Sequence, residues 1–263
     1  MNSLEYIDNI YNTQLIKQPH FTARLCPALF FYPKFSRIIW NSSKVARQKK
    51  YGYAEWANSS IDIMKALESV GVHLEITGIE NLANLDTPCV IIGNHMSMLE
   101  TMALPGIVQP VKTVTFVVKE SLLTYPVFSH IMRSRNPIAV TRDNPREDFK
   151  AVMEGGKERL ANGISIIVFP QTTRAKSFDP NEFNSIGIKL AQRAKVPVVP
   201  LALKTDAWEN GLLFKDFGRI VPKRKVHFSF GVPITIDGNA SGVHQQVIDF
   251  IENRLETWSE QKD

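Results

Sequence analysis

Between Pro88 and Leu203 the chain carries short runs that are almost wholly apolar and too brief to be independent helices. They are Pro88 to Gly93 (PCVIIG), Val114 to Val118, Ile164 to Phe169 (ISIIVF) and Val196 to Leu203 (VPVVPLAL). A strand with one wet face alternates apolar and polar residues. A run without that alternation suits a strand covered on both faces. Stretches with helical spacing lie between the runs. Trp56, Ile63, Met64, Leu67 and Val70 form one stripe that Gly71 stops. A helix is expected from Ser97 to about Val108. Phe149, Val152, Met153 and Leu160 mark another that Gly163 ends, and Val243, Val247, Ile248, Ile251, Leu255 and Trp258 a C-terminal one. His73 to Thr77, Pro137 to Val140 and Lys225 to Phe230 read as further strands. Strands alternating with helices predict an α/β fold: a single domain over residues 53–263 with a largely parallel central sheet flanked by helices.

Residues 1–52 have a different texture. Leu25 to Trp40 reads LCPALFFYPKFSRIIW, and Lys44, Arg47, Lys49 and Lys50 follow at once. Aromatic and aliphatic bulk beside a cationic run is what an interfacial helix uses, with rings at headgroup depth and basic groups on lipid phosphates. The segment is therefore expected to be helical and membrane-contacting; the alternative is a helical hairpin packed on the core with a solvated basic face. No stretch is expected to span a bilayer. The longest without Asp, Glu, Lys or Arg, from Leu160 to Thr173, falls short of the roughly 20 apolar residues a spanning helix needs. The first ten residues have no basic leader region. These features predict a peripheral or monotopic protein on the cytoplasmic face of a membrane.

Composition excludes several classes. The charged fraction is 22% and aromatics make up 10% of the residues, which argues against disorder. Two cysteines, Cys26 and Cys89, cannot build a disulfide framework or a zinc site. The net charge of +5 suits an acidic partner without choosing one. No basic helix suited to a nucleic-acid groove is present, and no nucleic-acid partner is expected. His73-Leu74-Glu75 followed by Pro88-Cys89 lacks the second cysteine of a deaminase. There is no G-x-S-x-G, H-E-x-x-H, Walker A or G-x-G-x-x-G pattern.

The chemistry-bearing residues sit just after predicted strands, where α/β folds place ligands. Asn94 and His95 follow the first buried run, with Glu100 five residues beyond His95. If His95 precedes a helix and Glu100 lies in its first turn, the carboxylate can hold one ring nitrogen and leave the other as a general base. Ser97-x-x-Glu100 is equally a capping box, in which Glu100 only satisfies the Ser97 backbone N–H. Gln171, Thr172, Thr173 and Arg174 follow the third run, and Arg142 ends a short strand. Guanidinium groups at strand exits suit a phosphate, which they can bind in bidentate fashion.

In order, these blocks resemble the lysophospholipid acyltransferase family, which includes the 1-acylglycerol-3-phosphate acyltransferases. Asn94-His95 with Glu100 resembles its NH-x4-D motif, Arg142 its strand ending in Arg, FPQTTR from Phe169 to Arg174 its FPEGTR, and VPVVPLAL its VPIVPV-like strand. The stretch from Gly71 to Leu82 resembles the family's lead-in, and the likeness covers about residues 70 to 235. The resemblance implies an acyltransferase domain in which His95 takes the proton of an acceptor hydroxyl and Glu100 orients His95. Asn94, Arg142, Gln171, Thr172, Thr173 and Arg174 would bind substrate. It implies a fatty acyl chain moving from acyl-CoA or acyl carrier protein, as co-substrate, to the hydroxyl of a lysophospholipid, foremost 1-acylglycerol-3-phosphate. No cofactor and no metal are implied. Glu100 stands for the commoner Asp, Gln171 for the acidic residue of EGTR, Thr172 for its glycine, and Asn184 near a frequent Lys. Those departures leave open another acceptor, such as a lyso-ornithine lipid or lipid A precursor, or a non-catalytic lipid-binding homologue.

Overall fold

A computed structural model of the chain describes residues 3–14, 19, 21–171, 173–212 and 215–260. Among these residues, one sheet of eight strands carries the fold. In chain order the strands are β1 (Tyr11–Asn12), β2 (Leu74–Thr77), β3 (Val90–Gly93), β4 (Val114–Lys119), β5 (Ile138–Val140), β6 (Ser165–Val168), β7 (Val198–Lys204) and β8 (Val226–Phe230). Their order across the sheet is β1-β2-β8-β7-β3-β6-β4-β5. The block β7-β3-β6-β4-β5 is parallel throughout, so these five strands present their C-terminal ends along one edge. The expectation of a largely parallel sheet is met. Antiparallel pairing enters where β8 meets β7 and where β1 meets β2.

The unbroken apolar runs are explained by helices on both faces. Helices α1 (Phe21–Leu25), α2 (Pro27–Arg47), α3 (Tyr53–Glu68), α4 (Glu80–Ala83), α5 (Leu99–Val108) and α6 (Phe128–Arg133) precede α7 (Pro145–Ala161), α8 (Ile186–Ala194) and α9 (Ala240–Glu260). Ile91, Ile167, Val199, Leu201 and Leu203 join a core with residues of α2, α3 and α5. Their alternate neighbours Val90, Ile92, Ile166, Val168 and Val198 join a second core with α7, α8 and α9. Burying each such side chain contributes about 1.5–3 kcal/mol, which is why the strands carry no polar face. At the exit of β3, a Cβ on Gly93 would lie 3.0 Å from the Leu201 carbonyl oxygen. Glycine there lets β3 run close against β7 before the chain turns into the His95 loop.

The N-terminal region departs from a purely helical segment. Tyr11 and Asn12 add β1 to the sheet edge beside Ile76 and Glu75. The periodic pattern missed a strand this short because two residues carry no alternation. Nor is the segment a separate body, because Phe31 and Phe35 of α2 are buried in the core that holds Trp56 of α3. Both rings pack against Trp208, at centroid distances of 4.8 Å and 5.2 Å. The other side of the same stretch is open: Phe21, Leu25, Leu29 and Trp40 are 61% to 73% exposed. Among the described residues, no helix is long and apolar enough to cross a membrane.

Candidate active site

The loop from Gly93 to α5 leaves the sheet at the C-terminal edge of β3, and its polar groups are almost all engaged. Asn94 donates from Nδ2 to the Leu203 carbonyl and accepts from the Leu203 N–H, both at 2.8 Å. The His95 N–H donates to Gln171 Oε1 at 2.7 Å, and the His95 carbonyl accepts from the Ala175 N–H at 3.0 Å. Asn210 Nδ2 donates to the Met96 carbonyl at 2.9 Å. Buried backbone groups must find partners, and here the partners come from β7 and from the segments that follow β6 and β7. The position of His95 is thereby tied to the neighbouring strands β6 and β7 as well as to its own loop.

Glu100 is fully buried beneath this loop. Its Oε1 accepts from His95 Nδ1 at 2.8 Å, from the Met96 N–H at 2.7 Å and from the Ser97 N–H at 2.8 Å. Its Oε2 accepts from Thr205 Oγ1 at 2.6 Å and lies 3.0 Å from Ser97 Oγ. The two readings of Glu100 therefore coincide: it satisfies the Ser97 N–H and holds the histidine with the same oxygen. Burial by itself pushes the Glu100 carboxyl up. The hydrogen bond and charge of His95, with Thr205 and the Ser97 N–H, outweigh it and leave the group below the ordinary carboxylate range. An ionised Glu100 only accepts, so Nδ1 of His95 carries a proton and Nε2 is the ring nitrogen that Glu100 does not engage. The imidazole also lies flat against the Phe169 ring, with centroids 4.6 Å apart and planes 7° apart.

His95 opens onto a cavity of about 1060 Å³, at the upper end of the range for ligand pockets. Trp56, Ile63, Met98, Met102, Phe116 and Ile131 give it an apolar wall. Gln171, Thr173, Arg142 and Arg174 line it on the polar side. Arg142 leaves β5 in a left-handed conformation, with φ of +69°, and its backbone N–H donates to Asp148 Oδ2 at 2.7 Å. Burial lowers the Arg142 guanidinium below its ordinary range, and the positive charge of Arg174 adds to the effect while Asp148 opposes it. Two guanidinium groups that disfavour each other are relieved by an anion between them. Arg174 meets Asp216, with Nη1 to Oδ1 at 2.7 Å.

The structure thus brings His95, Glu100, Arg142, Gln171, Thr173 and Arg174 together. Thr172 lies outside the described residues. Asn94, expected to bind substrate, spends both ends of its amide on the Leu203 backbone and is 1% exposed, so in this structure it clamps β3 to β7. Gln171 uses its oxygen on the His95 backbone, which adds a positioning role to its place in the cavity wall. Asn184 accepts from the Ile186 N–H at the start of α8 and donates to the Pro170 carbonyl. Sequence reasoning missed Thr205, Phe169 and Asp216. Thr205 stands just past the run VPVVPLAL, immediately after β7, so the strand-exit rule that found the others pointed at it too. Phe169 looked like one more strand residue, and nothing local marks Asp216.

A family model described as Acyltransferase matches residues 73–204. The "1-acyl-sn-glycerol-3-phosphate acyltransferase" of Pseudomonas aeruginosa is 29% identical over 189 residues, covering 72% of this chain and 71% of that protein. The chloroplastic protein of the same description from Brassica napus is 32% identical over 129 residues, 49% of this chain and 36% of its own length. The crystal structure of the "1-acyl-sn-glycerophosphate (LPA) acyltransferase, PlsC" from Thermotoga maritima shares the fold. It has a TM-score of 0.69 at 20% identity and covers 92% of this chain and 98% of that one.

Proposed function

Because this chain belongs to the acyltransferase family, we propose that it acylates 1-acylglycerol-3-phosphate, taking a fatty acyl chain from a thioester and giving phosphatidate. The observation that carries the reading is His95, tied through Nδ1 to a buried carboxylate and opening onto one cavity with both an apolar wall and two guanidinium groups. Nε2 of His95 removes the proton of the acceptor hydroxyl as its oxygen attacks the thioester carbonyl. The thiolate leaves as the tetrahedral intermediate collapses, and His95 returns the proton to sulfur. General-base catalysis of this kind contributes roughly 10²–10⁴-fold. Glu100 fixes the tautomer and stabilises the imidazolium that forms in between. No acyl-enzyme, metal or other cofactor is needed in this reading; acyl-CoA or acyl carrier protein serves as co-substrate.

The phosphate of the acceptor sits between Arg142 and Arg174, and the acyl chain against the wall of Trp56, Met102 and Phe116. The exposed face of α1 and α2 rests on a membrane and brings the cavity mouth to its lipid substrates, with no spanning helix required. The relatives' descriptions favour this acceptor over a lyso-ornithine lipid or lipid A precursor. The test is turnover of lysophosphatidate and a panel of other lysolipids with each donor, in wild type and His95→Ala. Phosphatidate formation that falls by at least about 100-fold in His95→Ala is expected. A wild type inactive on lysophosphatidate but active on another lysolipid would replace the acceptor, and full activity in His95→Ala would overturn the mechanism.

A further inference from the structure

The partner of Arg174 is the unexpected member of the site. Asp216 comes from the loop joining β7 to β8, outside every motif that the sequence offered. Its Oδ1 lies 2.7 Å from Arg174 Nη1, and the two side chains are 27% and 20% exposed. Both line the cavity that His95 opens onto. The other carboxylate on this wall, Asp148, is committed to the backbone N–H groups of Thr141 and Arg142 and to the Thr141 hydroxyl. The residues after Asp216 are tied to α2: Phe217 packs on Tyr32 with centroids 5.5 Å apart, and the Tyr32 hydroxyl donates to the Gly218 carbonyl at 2.5 Å.

We propose that Asp216 is a built-in competitor of the acceptor's phosphate for Arg174. The inference rests on the reading of Arg174 as an acceptor-binding residue. Before the acceptor binds, the carboxylate fixes the guanidinium and offsets its repulsion from Arg142. A phosphomonoester carries close to two negative charges near neutral pH and three strong acceptor oxygens, so it can displace a single carboxylate and bridge both arginines. The displacement weakens acceptor binding by the strength of the ion pair. Phosphatidate carries the same headgroup and is weakened equally, so the contact helps the site release product. A purely structural salt bridge predicts the opposite sign, since its loss would misplace Arg174 and weaken phosphate binding.

The experiment measures acceptor KM, phosphatidate inhibition and equilibrium binding of 1-acylglycerol-3-phosphate for wild type, Asp216→Asn and Asp216→Glu. Coupling between close charged groups translates to about a three- to tenfold change. Asp216→Asn is expected to lower the acceptor KM, the phosphatidate inhibition constant and the lysolipid Kd by that factor, and Asp216→Glu to restore wild-type values. In an Arg174→Ala background, Asp216→Asn is expected to change none of them. A KM and Kd that rise or stay constant in Asp216→Asn, or the same change in the Arg174→Ala background, would overturn the proposal. Tighter lysolipid binding by Asp216→Asn in a protein that transfers no acyl group would sustain the competitor and remove the proposed reaction instead.

Discussion

Phe169 and His95 lie parallel, with their ring centroids 4.6 Å apart, although one follows β6 and the other follows β3. Those strands are neighbours in the sheet, so the stack follows from their pairing. It closes one face of the imidazole while Glu100 holds its Nδ1, leaving the ring little freedom to turn Nε2 away from the cavity.

Replacing Phe169 by Leu keeps an apolar side chain and removes the flat partner. Positioning of this kind acts on the transition state more than on binding. Phe169→Leu is expected to lower kcat by about tenfold with acceptor KM within about twofold. Steady-state kinetics check this, and a change confined to KM would assign Phe169 to substrate contact instead.

Glu100 is the acceptor for at least four groups, so Glu100→Gln leaves several buried donors facing an amide NH2. A cost of about 2–4 kcal/mol in urea unfolding is expected, together with a fall in kcat of about 100-fold or more. The sign with pH follows from its lowered folded-state value. A carboxylate held below its ordinary range stabilises the fold above about pH 4.5, and the contribution is lost as pH falls through the folded value. Unfolding measured from pH 7 to pH 3 is therefore expected to show a steeper acid loss in wild type than in Glu100→Gln. Parallel curves would mean that Glu100 is not ionised in the folded protein.

Gln171 separates two roles that the motif confuses. A glutamate at this position can accept the His95 N–H just as the amide oxygen does, whereas alanine leaves that buried donor unpaired. Gln171→Ala is expected to lose about 1–3 kcal/mol of stability and at least tenfold in kcat, while Gln171→Glu stays within about threefold in kcat. Equal losses in both variants would place the importance of Gln171 in its NH2 group facing the cavity.

The legible part of the protein was whatever the sheet dictates. PCVIIG and ISIIVF announce strands covered on both faces, and the structure buries Val90 in one core and Ile91 in the other. His95, Arg142 and Arg174 were visible because they stand in the segments that leave strands along one parallel edge, and Glu100 because it lies in the first turn of the helix that follows His95. Asn94 stood there too, yet the sequence could not show that its amide faces the β7 backbone. Thr205 reaches Glu100 across 105 positions and Asp216 reaches Arg174 across 42. Such pairings are set by strand order, which no local pattern encodes. For the stretch from Leu25 to Trp40 the sequence offered a membrane-contacting helix or one packed on the core, and the helix has a buried side and an open side at once.

That division makes membrane docking testable without disturbing the fold. Phe31 is fully buried against Trp208, whereas Leu29 is 72% and Trp40 61% exposed. Lys34, Arg37, Lys44 and Arg47 on the same helix are exposed as well. Inserting one large apolar side chain contributes about 1.5–3 kcal/mol, and each basic group near an anionic surface about 1 kcal/mol. A Leu29→Ser, Trp40→Ser double variant is thus expected to reduce co-sedimentation with anionic phospholipid vesicles by at least tenfold, with thermal unfolding unchanged. The residual binding should fall further with added salt, because basic groups alone then hold the surface. Phe31→Ala is expected to cost about 3–5 kcal/mol in stability, as loss of a core ring does. Vesicle binding equal to wild type in the double variant would move the docking surface away from α2, and the cavity mouth would need another route to its lipids.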